Sequence, residues 1–249
     1  MSKLSERVVK RRLDQHLPQN KLYNLYQSAY TKFHSTETVL LSVYDSLIRA
    51  TAKQQVSCLC LLDLSAAFDT IDHNILLHRL TSWFGISGSA LSWFQSYLSS
   101  RSSIVSVSGF KSSSFSLSCG VPQGSVLGPL LFIMYTTPLS NLISNSPVSH
   151  HLYADDTQLY LSFSPNSYTS NIVQLQSVIA QVSTWMSSNL LSLNPKKTEF
   201  LIIGTPQQLS KLNNPALVFD PNTIITPVNS ARSLGILVDN HLSLNDQIK

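Results

Sequence analysis

The sequence predicts an α+β fold in which helices pack on a mixed or antiparallel central sheet. Three observations predict it. Strand-like and helix-like segments alternate without regular βαβ spacing. One continuous apolar run, Val56 to Asp63, has the length of a buried strand and ends in an acid. Two further apolar runs flank Asp155-Asp156, the pattern of a hairpin with acids at or near its tip.

The chain's 249 residues, 43% of them hydrophobic, suffice for one large domain or two small ones. Charged residues make up 12%, against about 25% in an ordinary domain, which excludes a solvating tail as the main content. Lys+Arg number 17 and Asp+Glu 13, and this net +4 does not by itself indicate nucleic acid. Acids are few, so a place where they gather inside apolar sequence is informative.

From the N-terminus to about Gln55 the chain reads as helices, with Val39, Leu40, Val43, Leu47 and Ile48 on one face. After the Val56–Asp63 strand, Asp72 to Phe84 is a helix stopped by Gly85, with Asp69 and Asp72 as acids favourable to its N-terminus. Ser89 to Leu98 is a second helix, with Leu91, Phe94 and Leu98 on one side. Ile104–Ser108 and Phe115–Cys119 alternate as strands do. A glycine-rich turn, Gly120-Val121-Pro122-Gln123-Gly124, leads into an apolar helix to about Ile143. The hairpin around Asp155-Asp156 follows, then a helix marked by Ile172, Leu175, Ile179, Val182 and Met186, then a strand from Glu199 to Ile203. Past Gly204, prolines punctuate short runs (Ala216–Phe219, Thr223–Ile225), which reads as irregular β structure outside the main core.

Cys58, Cys60 and Cys119 are odd in number and form no CxxC, so neither a disulfide framework nor a zinc site is expected; small buried hydrophobes is the reading for the first two. The N-terminal fifteen residues lack the apolar stretch of a signal peptide, and no run approaches the about 20 apolar residues of a membrane span. An intracellular protein, nuclear or cytoplasmic and without membrane partners, is expected. Lys10-Arg11-Arg12 reads as a solvated helix face before it reads as a nuclear signal.

Two adjacent carboxylates between apolar strands repel each other and need exposure or a cation. A hairpin turn alone would also welcome them. Asp63, ending the buried strand, reads alone as a cap. If the hairpin lies beside that strand, however, three carboxylates converge at one sheet edge. Hard oxygen ligands with open positions suit Mg²⁺, and two ions about 4 Å apart would bind the attacking and leaving oxygens of a phosphoryl transfer. In the loop, glycines allow close backbone approach to a ligand and Gln123 offers both a donor and an acceptor; a plain strand-to-helix turn remains open. Phe68, five positions after Asp63, reads on its own as a core aromatic. The seven histidines show no ligand spacing such as HExxH, and none is assigned to metal.

Five stretches stand in order along the chain: LLDLSAAFDTIDHNILLHRL, GVPQGSVLGPLLFIMY, YADDTQLY, LNPKKTEFLIIG and SLGILVDNHLSL. From about Leu4 onward the sequence resembles the reverse transcriptase domain of LINE-type (non-LTR) retrotransposons. The resemblance implies a right-hand polymerase palm with partial fingers at 1–57, palm at 58–205, and at 206–249 the start of a palm–thumb connection, the thumb itself missing. It implies an RNA-directed DNA polymerase: two Mg²⁺ ions, with Mn²⁺ as a substitute and no further cofactor, and an RNA template, a DNA primer and dNTPs as partners. Asp63, Asp155 and Asp156 match the metal-binding acids. Phe68 matches the aromatic that screens the sugar 2′-position, and Gln123 and Gly124 the loop on the incoming nucleotide. Lys197 matches the lysine that protonates leaving pyrophosphate, in a register that Lys196 leaves open by one. The chain departs from the family pattern in two places. A strand with Asn-Tyr-Arg-Pro-Ile-Ser is absent, and Thr31 stands where an arginine is usual, leaving Lys32 to meet the triphosphate. The alternative is a truncated, inactive retrotransposon remnant that at most binds nucleic acid. A two-carboxylate hydrolase is a third reading, which leaves the ordered motifs unexplained.

Overall fold

The computed structural model of the chain describes residues 2–212 and 215–248. In chain order its helices are α1 (Ser2–Gln19), α2 (Thr36–Ala52), α3 (His73–Ser82), α4 (Gly88–Leu98), α5 (Gly128–Ser144), α6 (Tyr168–Ser188) and the short α7 (Pro206–Leu209) and α8 (Asn245–Ile248). Its strands are β1 (Val56–Leu62), β2 (Leu64–Ser65), β3 (Arg101–Ser103), β4 (Ser106–Val107), β5 (Phe110–Lys111), β6 (Phe115–Leu117), β7 (Ser149–Tyr153), β8 (Asp156–Phe163), β9 (Ser192–Leu193), β10 (Glu199–Ile203), β11 (Leu217–Asp220), β12 (Thr223–Ile225), β13 (Ser230–Ser233) and β14 (Ile236–Asp239). They form two compact units that interleave along the chain.

The larger unit comprises residues 25–65, 138–188 and 192–249. Its centre is a four-stranded sheet in the order β10-β1-β8-β7, antiparallel throughout. β1 is buried at nearly every residue because it is paired on both edges and covered on both faces. One face carries a core of Val39, Val43 and Leu47 from α2, Leu59 from β1, Leu201 and Ile203 from β10, and Ala231 and Val238 from β13 and β14. The proline-punctuated tail therefore contributes to the core, whereas the sequence placed it outside. Two small residues, Ala231 and Val238, do this work, and short runs of that kind carry no periodicity that marks them as core. Cys58 and Cys60 are fully buried, and burial pushes the Cys60 thiol up to about 12. Cys119 is exposed.

Helix α2 starts at a reciprocal cap between Ser35 and Thr38, which satisfies backbone N–H groups otherwise left open. Its buried face is Val39, Leu40, Val43, Leu47 and Ala50; Ile48, expected inward, is 53% exposed. Ala50 continues the i, i+4, i+7 row from Val43 and Leu47, and Ile48 lies one step off it.

The smaller unit comprises residues 1–24, 66–137 and 189–191. Asp72 caps α3 by accepting from the Ile75 N–H at 2.8 Å, and the buried Arg79 bonds the Tyr135 carbonyl and Asn189 while its guanidinium lies 4.4 Å over the Tyr135 ring. The expected strand at 104–108 is displaced. β3 pairs with β6 and β4 with β5, and the residues between them, Ile104 and Val105, belong to neither ladder. Every residue of β4, β5 and β6 is exposed, so the Ser/Val alternation does not reflect a core-facing side, which is why its period misled. Among the described residues no helix is long and apolar enough to cross a membrane.

On β7, His150 is 3% exposed, its Nε2 has no hydrogen-bond partner among the described residues, and its ring lies 4.2 Å from that of Tyr26. Burial, then the neighbouring His151, lowers its pKa to about 4. The folded state holds this imidazole neutral while the unfolded chain protonates it at about 6.5. Its contribution is thus complete above the unfolded pKa and is lost as pH falls towards about 4. Relative to the unaltered chain, His150→Gln should change the pH slope of urea-unfolding stability so that up to about 2 kcal/mol less is lost between about pH 7 and about pH 5. An unchanged slope in the variant would show that other groups cause it.

Candidate active site

Asp63 lies between two ladders. β1 ends at Leu62 and pairs with β8 and β10, whereas β2 begins at Leu64 and pairs with β9. The strand thus changes partners at Asp63, whose backbone carbonyl accepts from the Asn194 N–H at 2.9 Å. On the neighbouring strand Leu62 pairs with Thr157, so Asp63 and Asp156 follow at the same end of the two strands. Asp155 occupies the turn between β7 and β8, after Ala154, whose φ is 54°. All three acids belong to the larger unit.

The electrostatics agree with this placement. The Asp156 carboxyl is pushed up to about 6, first by desolvation and then by the negative charges of Asp155 and Asp63, although the residue keeps an exposed face. The Asp63 Oδ2 is buried and has no hydrogen-bond partner among the described residues. The Lys197 ammonium stands 3.7 Å from it. Lys197 is carried there by a turn in which the Asn194 carbonyl accepts from the N–H groups of Lys197 and Thr198, just ahead of β10. Of the two adjacent lysines it is thus Lys197 that approaches the acids.

Hard carboxylate oxygens, one of them buried and unpartnered, fit a divalent cation. Among the described residues, however, no group of three or more His, Cys, Asp or Glu side chains stands close enough to hold an ion. The three carboxylates stand at one end of the sheet, near enough that Asp155 and Asp63 both raise the Asp156 pKa. An incomplete ligand set suits Mg²⁺, which binds through one or two carboxylates and leaves positions for water and phosphate.

The smaller unit holds Phe68, Gln123 and Gly124. Phe68 is half-buried, stacks on Phe132 with centroids 4.6 Å apart, and lines a cavity of about 210 Å³ with Pro122, Gln123, Gly124, Gly128 and Pro129. Segments 68–73 and 119–123 are stitched together. The Val121 N–H donates to the Phe68 carbonyl at 3.0 Å, the Gly120 N–H to the Ile71 carbonyl at 2.8 Å, and the His73 Nε2 lies 2.8 Å from the Gly120 carbonyl. At Gly120, φ is 83° and an added Cβ would stand 2.9 Å from the Asp69 carbonyl oxygen, so only glycine fits. Asp69, read as a helix-terminal acid, instead accepts from the Gln123 Nε2 on both carboxylate oxygens, at 3.0 and 3.1 Å. Glu6 of α1, buried, accepts from the N–H groups of Val126 and Leu127 at 2.7 and 3.2 Å and so caps the loop where α5 begins. Nothing local in the sequence marks Asp69 or Glu6, because their partners lie 54 and 120 or more positions away. Lys32, in the larger unit, is exposed with its ammonium 4.7 Å over the Phe33 ring, and no ion pair among the described residues joins it to the acids.

The family described as reverse transcriptase (RNA-dependent DNA polymerase) matches residues 1–237. The probable RNA-directed DNA polymerase from transposon BS of Drosophila melanogaster is 27% identical over 259 aligned positions, which cover 100% of this chain and 27% of the relative. The RNA-directed DNA polymerase from mobile element jockey of the same species is 29% identical over 205 positions, 79% of this chain and 22% of the relative. The chain spans about a quarter of the length of these relatives. Among solved structures, apo telomerase from Candida tropicalis, truncated from its C-terminal domain, matches with a TM-score of 0.65 at 15% identity, over 98% of this chain and 45% of that one. Telomerase from Candida albicans, in complex with a TWJ fragment of telomeric RNA, matches with a TM-score of 0.61 at 12% identity, over 95% and 36%. At these identities the likeness is one of fold.

Removing one of three like charges relieves repulsion. Asp155→Asn should leave the fold intact and raise stability by at most about 1 kcal/mol, the size of a one-unit pKa shift, read as a small upward move of the thermal midpoint. A clear drop would assign Asp155 a structural role instead.

Proposed function

Because the chain belongs to the reverse transcriptase (RNA-dependent DNA polymerase) family, we propose that it is the core of an RNA-directed DNA polymerase from a non-LTR retrotransposon, adding dNTPs to a DNA primer on an RNA template. The observation that carries this reading is the end of the β1–β8 pair, where Asp63, Asp155 and Asp156 gather and one Asp63 oxygen is buried without a hydrogen bond. A template of RNA agrees with the relatives' names and with the RNA complex of the Candida albicans telomerase.

When bound, two Mg²⁺ ions, or Mn²⁺ in their place, supply activation of the primer 3′-hydroxyl and neutralisation of the phosphate charge. Asp63, Asp155 and Asp156 hold that charge at the sheet end. Lys197, exposed and 3.7 Å from Asp63, would give its proton to the leaving pyrophosphate. The cavity lined by Phe68, Gln123 and Gly124 takes the nucleotide. Phe68 is fixed by its stacking on Phe132, so its ring is a rigid wall against a 2′-hydroxyl. Lys32 meets the triphosphate in place of the arginine that Thr31 replaces. In this reading residues 1–57 supply part of the fingers and 58–205 the palm.

Thr31 also favours a second reading, a chain that binds primer–template without extending it. Primer extension on poly(rA)/oligo(dT) with Mg²⁺ separates the two. Extension that Asp63→Asn abolishes without unfolding supports the polymerase. Tight primer–template binding with no extension by the unaltered chain supports the remnant.

Phe68→Val should raise ribonucleotide relative to deoxynucleotide incorporation by more than the about 10- to 200-fold that one methylene provides in a pocket. The loss of stacking on Phe132 should lower stability by less than the about 3–5 kcal/mol of a full truncation. An unchanged sugar preference in a folded, active variant would return Phe68 to the core alone.

A further inference from the structure

Gln27 precedes α2 in a segment without regular structure, yet it is 4% exposed. Its side-chain amide closes on one residue, bonding the two peptide groups that flank the Ala154 Cα. The Ala154 N–H donates to its Oε1 at 3.0 Å, and its Nε2 donates to the Ala154 carbonyl at 3.3 Å. The Ala29 N–H also donates to Oε1, at 2.9 Å. Two N–H donors converge on one atom, which settles which end of the amide is oxygen.

The backbone around Gln27 docks on β7 independently. The Leu152 N–H donates to the Tyr26 carbonyl at 2.7 Å, the Ser28 N–H donates to the Leu152 carbonyl at 3.1 Å, and Gln27 forms a parallel bridge with Leu152. The Ser28 hydroxyl lies 2.8 Å from the His151 Nε2. Gln27 is thus held by its neighbours, and its side chain is left to act on the turn.

The residue it grips is the one before Asp155. Ala154 has φ of 54°, a left-handed conformation that a residue with a Cβ avoids. A turn of this shape sets the direction in which Asp155 leaves the hairpin. Released, Ala154 would relax towards an ordinary φ and turn Asp155 away from Asp63 and Asp156.

We propose that Gln27 is a positioning residue for the carboxylate of Asp155, acting through Ala154. This rests on the polymerase reading above and adds to it a residue that never touches substrate or metal. Gln27 belongs to the same compact unit as the turn it holds.

The test uses the whole chain. Gln27→Leu keeps the size of the side chain and suits its burial, but it can neither donate nor accept. Hydrogen exchange at the Ala154 amide, followed by NMR, should accelerate at least about tenfold, equivalent to about 1.4 kcal/mol. The affinity for Mn²⁺, read by electron paramagnetic resonance without nucleic acid, should fall about tenfold. In primer extension kcat should fall by at least about tenfold while KM for dTTP stays within about twofold. Adding Ala154→Gly to Gln27→Leu should recover much of the Mn²⁺ affinity, because glycine takes a positive φ without the Cβ penalty. A packing role for Gln27 would not be rescued this way.

If Gln27→Leu fails to fold, Gln27→Asn keeps the amide but is one methylene too short to bond both Ala154 groups; a partial loss of kcat and of Mn²⁺ affinity then supports the role, and unaltered values overturn it. Unchanged exchange at Ala154, or faster exchange with unaltered kcat and Mn²⁺ affinity, overturns it while leaving the polymerase reading in place. An unaltered chain that neither binds Mn²⁺ nor extends a primer overturns the polymerase reading and this role together.

Discussion

The antiparallel pairing of β1 with β8 is the constraint on which the candidate site depends. It runs in unbroken register from Val56 opposite Phe163 to Leu62 opposite Thr157, and Asp63 and Asp156 lie one step beyond its last pair. A slip of one residue would reverse the faces of every side chain along β1 and move its buried leucines and cysteines to the wrong layers. The packing that holds Leu59 against α2 and β10 therefore also fixes where the acids emerge. Carboxylates this close repel one another, so the site draws on stability supplied by the apolar sheet beneath it.

The smaller unit solves a different problem, that of holding an exposed glycine-containing loop without a sheet. Gln123 and Gly124 are both exposed, yet the loop they belong to is tied at either end by a carboxylate from elsewhere in the chain. Asp69 takes both its bonds from one nitrogen of Gln123, which leaves the amide oxygen of Gln123 outside that pairing. Glu6 satisfies two N–H groups just ahead of α5 that the helix itself cannot. The close approach at Gly120 brings Phe68 and Gln123 to one cavity wall.

Much of this was legible in the sequence where the signal is local. The apolar run ending at Asp63, the hairpin around Asp155-Asp156, and α3, α5 and α6 follow from length, period and punctuation within about 20 residues. The four-stranded sheet is antiparallel, one of the two forms the sequence allowed. What stayed illegible is long-range. Gln27 meets Ala154 across 127 positions and Glu6 meets Val126 across 120, and neither residue type is unusual where it stands. Ala231 and Val238 joined the core from a stretch whose prolines pointed outward. The Ser/Val alternation at β4 mimics a half-buried strand, yet every residue of β4 to β6 is exposed.

Cys119 stands apart from the other two cysteines. Cys58 and Cys60 are sealed in β1 with thiols that burial keeps protonated, while Cys119 is exposed and immediately precedes Gly120. A thiol-selective dye would therefore attach at one address without any engineered cysteine. That address adjoins the loop tied to Asp69 and Glu6, so the unmodified sequence already carries an attachment point for an optical reporter of loop motion.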